Sequence, residues 1–238
     1  MPVNNKMQAV KPNLKAVLFD LDGTFADTAQ DLAEALNFVL TKNGQAALPF
    51  ETIRPVVSNG GIALIKLGFQ IEPAHPSFET YRQQLLEYYQ QNIAQFTRPF
   101  KGIENVLEYL ANNNIAWGIV TNKPGWLTDP LMAALNLSGA LPSQPQCVVS
   151  GDTLETRKPD PGTLLHACEL MNCSTADTIY IGDAQRDIEA GQNANMQTLV
   201  ALFGYIGEDD DPQSWGATDA VEQPLDIIDW IQQHRNIQ

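Results

Sequence analysis

Apolar and polar positions divide the chain into an opening strand, a helical stretch and a long alternating region. Val17-Leu18-Phe19 is continuously apolar and stops at Asp20, Asp22 and Gly23, which predicts a buried strand that ends in a turn. Asp27-Thr28 then offers an N-cap, and Leu32, Ala35, Leu36, Val39 and Leu40 recur at helical spacing up to the stop at Asn43-Gly44. A loop with Pro49, residues 53–57, the stretch Ser58-Asn59-Gly60-Gly61, an apolar segment through Leu67 and a Pro73/Pro76 break follow, and the glycine pair reads as a loop. Tyr81, Leu85, Leu86, Tyr88, Tyr89, Ile93 and Phe96 mark a helical stripe over 78–96. No strand interrupts residues 28–96, so they read as an all-helical insert.

From Pro99 onward, helix and buried strand alternate, the pattern of a parallel sheet with crossover helices. Ile103, Val106, Leu107 and Leu110 predict a helix, 115–121 a strand, and 126–137 a helix that Pro130 is expected to shorten or kink. A strand at 147–150 leads to a helix with Asp160 as N-cap and Pro161 in the first helical position. Then come a strand at 178–181, a helix at 186–195, a last core strand at 198–202 and a closing helix at 225–231. The expected fold is α/β: a Rossmann-like parallel sheet core, residues 1–27 and 98–238, with an inserted all-helical domain, residues 28–97.

Composition narrows the partners. Of 238 residues 44% are hydrophobic and 18% charged, the profile of a soluble globule, and no apolar run reaches the roughly 18 residues of a membrane helix. Residues 1–13 are polar and lack the apolar centre of a signal peptide, which predicts a short disordered lead-in to a cytoplasmic protein. A net charge of −14, from 14 basic and 28 acidic side chains, opposes nucleic acid and anionic lipid alike. A small phosphorylated metabolite is the expected partner, for a monomer or homodimer. Cys147, Cys168 and Cys173 lack a zinc spacing and read as buried free thiols. His75, His166 and His234 read as capping or surface residues, and the acidic run 208–211 as a solvated loop.

The chemistry lies just past the predicted strands: Asp20 and Asp22, Thr121 and Asn122, the loop leading to Lys158, and Asp183 with Asp187. In an open parallel sheet the carboxyl ends of the strands form the ligand crevice, so these distant positions can converge. Asp20 and Asp22, two apart, project to one side, and Gly23 lets the chain turn and bring N–H groups near a ligand. Several carboxylates in one site need a cation, because unit charges about 4 Å apart interact by about 4 kcal/mol at an effective dielectric of 20. Mg²⁺ suits such donors and bridges to phosphate oxygens. Lys158 and the metal would then offset the repulsion between an aspartate nucleophile and a phosphate dianion, and attack would give an aspartyl-phosphate. Asp22 can protonate the leaving alkoxide and later deprotonate the water that breaks the intermediate.

Phe19-Asp20-Leu21-Asp22-Gly23-Thr24, Val120-Thr121-Asn122-Lys123-Pro124, Lys158-Pro159-Asp160-Pro161 and Ile181-Gly182-Asp183 with Asp187 resemble, in order and spacing, the four motifs of the haloacid dehalogenase superfamily of phosphatases. The resemblance implies that Asp20 is the nucleophile, Asp22 the general acid/base whose backbone carbonyl also ligates Mg²⁺, Thr121 a hydroxyl donor to phosphate and Lys158 the cation that orients Asp20. It makes Asp183 a direct metal ligand and Asp187 a ligand or the holder of a metal-bound water. Gly23, Thr24 and Asn122 become phosphate neighbours. Phe25 and Ala26 depart from the usual residues after Thr24 but stay apolar. The helical insert falls where the superfamily carries its C1 cap, a lid that would bring Asn59, Gly60 and the rest of the Ser58–Gly61 stretch, with Arg54 or Lys66, to the substrate. Within the capped phosphatases the chain resembles the phosphoglycolate phosphatase branch. Its cap loop and the late segment Gly204-Tyr205-Ile206, Asp210, Pro212, Trp215-Gly216-Ala217 resemble the N-acetylmuramic acid 6-phosphate phosphatases of bacterial cell-wall recycling. Trp215 packed on the core is the competing reading of that segment. Asp22 argues against a dehalogenase, which needs no acid; a phosphosugar mutase and a phosphate-binding module without turnover remain as alternatives to 2-phosphoglycolate or amino-sugar phosphate hydrolysis.

Overall fold

Ala16, Val17, Leu18 and Phe19 are fully buried, as a strand covered on both faces requires. They form β1 (Ala16–Phe19) in the computed structural model, which describes residues 13–236 apart from 138 and 140. The expected lead-in, Asn13 aside, lies outside the described residues. The chain continues through β2 (Ala26–Asp27), α1 (Ala29–Lys42), α2 (Phe50–Ile53), a 3-10 segment (Arg54–Asn59), α3 (Gly60–Phe69), α4 (Phe78–Gln91) and β3 (Arg98–Pro99). It then alternates: α5 (Ile103–Asn112), β4 (Ala116–Val120), α6 (Gly125–Leu137), β5 (Cys147–Val149), α7 (Gly162–Leu170), β6 (Thr178–Gly182), α8 (Gln185–Asn193), β7 (Gln197–Ala201), β8 (Asp219–Val221) and α9 (Asp226–His234).

Six strands make one parallel sheet in the order β5-β4-β1-β6-β7-β8. Phe19 lies level with Ile119 of β4 and Ile181 of β6, so the three central strands end together. Successive β1 residues feed opposite cores. Val17 and Phe19 pack with Leu107 of α5, Leu131 of α6 and Ile231 of α9, whereas Ala16 and Leu18 pack with Leu164 of α7 and Ala190 of α8.

Helices α1 to α4 bury a second core of Leu36, Val39, Leu40, Leu64, Ile65, Leu85 and Tyr89, joined by Tyr205 from beyond β7. The chain enters and leaves this part through an antiparallel ribbon, Ala26 opposite Pro99 and Asp27 opposite Arg98.

Several local expectations are corrected. Gly60-Gly61 does not form a loop: it opens α3 directly after the 3-10 segment. Helix α4 stops at Gln91, short of Ile93 and Phe96, because the buried Asp31 carboxylate accepts the N–H groups of Phe96 and Thr97 and the Thr97 hydroxyl and so holds the chain in another path. Pro130 does not shorten α6, whose buried Leu127, Leu131, Met132 and Leu135 keep it seated. The last strand of the sheet is β8, not β7. Thr28 stands before α1 but its hydroxyl donates to Asp22 at 2.6 Å and makes no capping bond, and the Tyr205 hydroxyl accepts the N–H groups of Thr28 and Ala29. Asp160 accepts the Gly162 N–H at 2.8 Å, but Pro161 takes the N-cap position and Gly162, not Pro161, begins α7.

Candidate active site

The polar residues that follow β1, β4 and β6 meet at one end of the sheet because those strands stop in register. Carboxylate oxygens of Asp20, Asp183 and Asp187, one from each, lie within 4.8 Å of one another, and all three residues are buried. Three hard oxygen donors at this spacing fit a divalent metal ion of the Mg²⁺ type. Lys158 enters from the loop between β5 and α7, and its Nζ lies 2.8 Å from Asp20 Oδ1 and 2.8 Å from Asp187 Oδ1. It also donates to the Val120 carbonyl at 3.0 Å and the Tyr180 hydroxyl at 2.7 Å.

The electrostatics follow from burial. Burial raises the Asp20 pKa, Lys158 opposes this and Asp187 reinforces it. Burial, with repulsion from Asp20 and Asp187, pushes the Asp183 carboxyl up to about 7, against the pull of hydrogen bonds from the Tyr205 N–H and the Ser58 hydroxyl. Burial acts to lower the Lys158 pKa, but Asp187 and Asp20 outweigh it and raise it, so the ammonium stays charged.

Asp22 is oriented separately. Its Oδ1 accepts from the Thr28 hydroxyl at 2.6 Å and from Lys123 Nζ at 2.9 Å, and the residue lines a cavity together with Asp20. Lys123 Nζ also lies 4.5 Å from the centre of the Tyr89 ring on α4. The cavity has a volume of about 750 Å³ and is shared by Asp20, Asp22, Thr121 and Asn122 from the sheet end and by Asn59 and Gly60 from the insert.

Other sequence candidates sit elsewhere. Thr24 is fully buried and its hydroxyl donates to Asp183 at 3.4 Å, so it does not face the cavity. The Gly23 N–H is taken by the Ala26 carbonyl; the glycine, at φ +84°, leaves room for the Asp183 carboxylate and the Tyr205 ring, where a Cβ would collide with both. The Asn122 amide grips the Lys158 backbone at both ends, donating to its carbonyl at 3.0 Å and accepting its N–H at 3.1 Å. Arg54 bonds the Phe203 carbonyl and stacks over Tyr205, Lys66 pairs with Glu72, and neither lines the cavity. Trp215 packs on Ile188 and Val200.

Sequence reading did not single out Tyr180, Arg186 or the orienting role of Lys123. Arg186 donates to the Ser58 carbonyl at 2.6 Å and to Asn59 Oδ1 at 3.1 Å, and Ser58 donates to Asp183 Oδ2 at 2.7 Å, so the insert is tied to the carboxylate cluster. A tyrosine in a buried strand and an arginine in a helix carry no motif signal; only their neighbours in space mark them.

Residues 17–201 match the model of the haloacid dehalogenase-like hydrolases. The chain belongs to that family. It is 36% identical over 214 residues to an N-acetylmuramic acid 6-phosphate phosphatase of Pseudomonas putida, covering 90% of this chain and 94% of that protein. It is also 36% identical over 225 residues to a phosphoglycolate phosphatase of Xylella fastidiosa, covering 94% and 95%. Its fold matches a solved structure described as a predicted phosphoglycolate phosphatase from Haemophilus somnus, with a TM-score of 0.78, 22% identity and coverage of 92% and 98%. The chain is an enzyme of the phosphatase branch of this superfamily. No helix among the described residues is long and apolar enough to cross a membrane.

Proposed function

We propose that this enzyme is a Mg²⁺-dependent phosphomonoesterase that works through an aspartyl-phosphate on Asp20, with N-acetylmuramic acid 6-phosphate as its substrate. The observation that carries the chemistry is Asp20 held by Lys158 at 2.8 Å inside a buried carboxylate triad, with Asp22 on the same cavity. Asp20, Asp183 and Asp187, with the Asp22 carbonyl, would hold the ion, which when bound supplies positive charge against the carboxylates and the phosphate.

Asp20 Oδ attacks phosphorus and the bond from phosphorus to the leaving oxygen breaks; Asp22 gives that oxygen its proton. Water then attacks the phosphorus of the aspartyl-phosphate, Asp22 takes its proton, and inorganic phosphate leaves with Asp20 restored. Lys158 fixes the attacking carboxylate, Lys123 and Thr28 aim Asp22, Thr121 donates to the phosphate, and Asn122 holds the Lys158 loop in register. Residues 28–97 act as a cap that excludes water over the site, in a cytoplasmic protein.

The substrate assignment rests on the relatives and on cavity size. A volume of about 750 Å³ suits a drug-sized molecule, within the range of about 300–1,000 Å³, and is far more than a two-carbon acid fills. The equal identity to a phosphoglycolate phosphatase favours 2-phosphoglycolate as the second reading. Phosphate release with Mg²⁺ from the two compounds decides between them. A kcat/KM advantage for the amino sugar of about a hundredfold, or about 2.7 kcal/mol, is expected, and the same advantage for 2-phosphoglycolate would reverse the assignment. Asp20→Asn is expected to abolish turnover of both; residual turnover near wild type would remove Asp20 as nucleophile.

A further inference from the structure

Exposure rises across the cavity, from 3% at Asp20 to 43% at Trp126 in the first turn of α6 and 52% at Ile62 in α3. Trp126 and Ile62 therefore stand at the mouth, one on the sheet side and one on the insert. A large indole left open on the wall of a catalytic cavity fills no gap in either core. Four cationic side chains line the same space, and three are engaged: Lys123 with Asp22, Arg186 with Ser58 and Asn59, and Arg82 with Glu79. The fourth, Arg157, is exposed, lines the cavity and has no side-chain partner among the described residues. The acids on these walls outside the catalytic pair are occupied as well, Glu79 by Arg82 and Asp152 by the Gly125 N–H at 2.7 Å.

We propose that Trp126 and Arg157 form the subsite that reads the non-phosphate half of the substrate, Trp126 packing against the apolar face of a pyranose ring and Arg157 pairing with a carboxylate carried by that ring. This deepens the substrate reading above and rests on it. The indole offers a flat apolar surface with a polar edge, suited to a sugar whose ring C–H groups face one way and hydroxyls another. A free guanidinium offers two parallel N–H donors that match a carboxylate. A two-carbon phosphorylated acid has a carboxylate but no ring for Trp126.

Three substrates separate the contributions: N-acetylmuramic acid 6-phosphate, N-acetylglucosamine 6-phosphate, which has the ring without the carboxylate, and 2-phosphoglycolate, which has the carboxylate without the ring. In Trp126→Ala the kcat/KM ratio of N-acetylglucosamine 6-phosphate to 2-phosphoglycolate is expected to fall about tenfold. In Arg157→Gln the ratio of N-acetylmuramic acid 6-phosphate to N-acetylglucosamine 6-phosphate is expected to fall by about the same factor. Each ratio compares substrates on one protein, so a general folding defect cancels. Ratios that stay within about twofold of wild type in either variant overturn the subsite. The wild-type enzyme tests the underlying reading by itself: a preference for 2-phosphoglycolate over both sugars sinks the substrate assignment whatever the variants do.

Discussion

Lys158 touches two carboxylates, a carbonyl and a phenol within 3.0 Å, so its removal strands the most charge in the smallest space. Lys158→Met should lower kcat about a hundredfold or more, the scale for losing a preorganised charge at a reacting centre. Asn122→Ala removes only the two bonds that hold the Lys158 backbone. It should cost about tenfold in kcat with less change in KM, and a loss as deep as that of Lys158→Met would mean that the amide itself touches the phosphate. At this scale the sequence was legible where charge interrupts an apolar strand end, as at Asp20 and Asp183. It was silent where a side chain acts through a distant partner. Tyr180 reads as strand filling, and Lys123 shows its purpose only when Asp22, far off in sequence, lies 2.9 Å away.

Among the elements, the start of α1 depends on a residue from beyond β7. The Tyr205 hydroxyl accepts the N–H groups of Thr28 at 2.6 Å and Ala29 at 2.9 Å and donates to Asp27 at 2.7 Å, while the Tyr205 N–H donates to Asp183 at 2.9 Å. One residue thus caps the first helix of the insert and contacts the carboxylate cluster. Tyr205→Phe leaves the Thr28 N–H buried without an acceptor and the Ala29 N–H with only Asp27 Oδ1 at 3.4 Å, and should destabilise the protein by about 1–3 kcal/mol in urea unfolding. An unchanged midpoint would show that the Tyr205 hydroxyl contributes nothing to holding the start of α1. Periodic elements were legible because a single buried face writes their spacing, as in α1 and α5. Their ends were less so: Asp31 stops α4 through space, packing carries α6 past Pro130, and β8 is too short and too exposed to leave an alternating pattern.

For the whole molecule, the carboxylate cluster sets a dependence on pH. Burial raises the Asp183 carboxyl from 3.8 to about 7, and Asp20 moves the same way. A folded-state pKa above the unfolded one means that the folded form binds more protons in between, so stability falls as pH rises from about 4 to about 7. Metal-free protein should therefore melt at progressively lower temperature from pH 5 to pH 7, and Mg²⁺ should restore the most at the upper end by occupying the deprotonated cluster. A melting temperature that is flat with pH in the presence of chelator would contradict this. The parallel sheet, and hence the gathering at one end of the residues that follow its strands, was readable from the alternation of helix and strand, whereas the strand order and the seating of the insert on Arg186 and Tyr205 required three dimensions.

The ribbon that pairs Ala26 with Pro99 and Asp27 with Arg98 bears on inheritance. Departure and return share one spot, so the backbone between them is spliced into the sheet part at a single place, and Arg186, Asp183 and Tyr205 clasp it from the sheet side. A crossover that swaps the coding segment between these two points replaces the insert's wall of the cavity, Asn59, Gly60 and Ile62 included, and leaves Asp20, Asp183 and Asp187 as they are. One recombination event can therefore exchange half of a cavity without cutting the sheet that carries the other half.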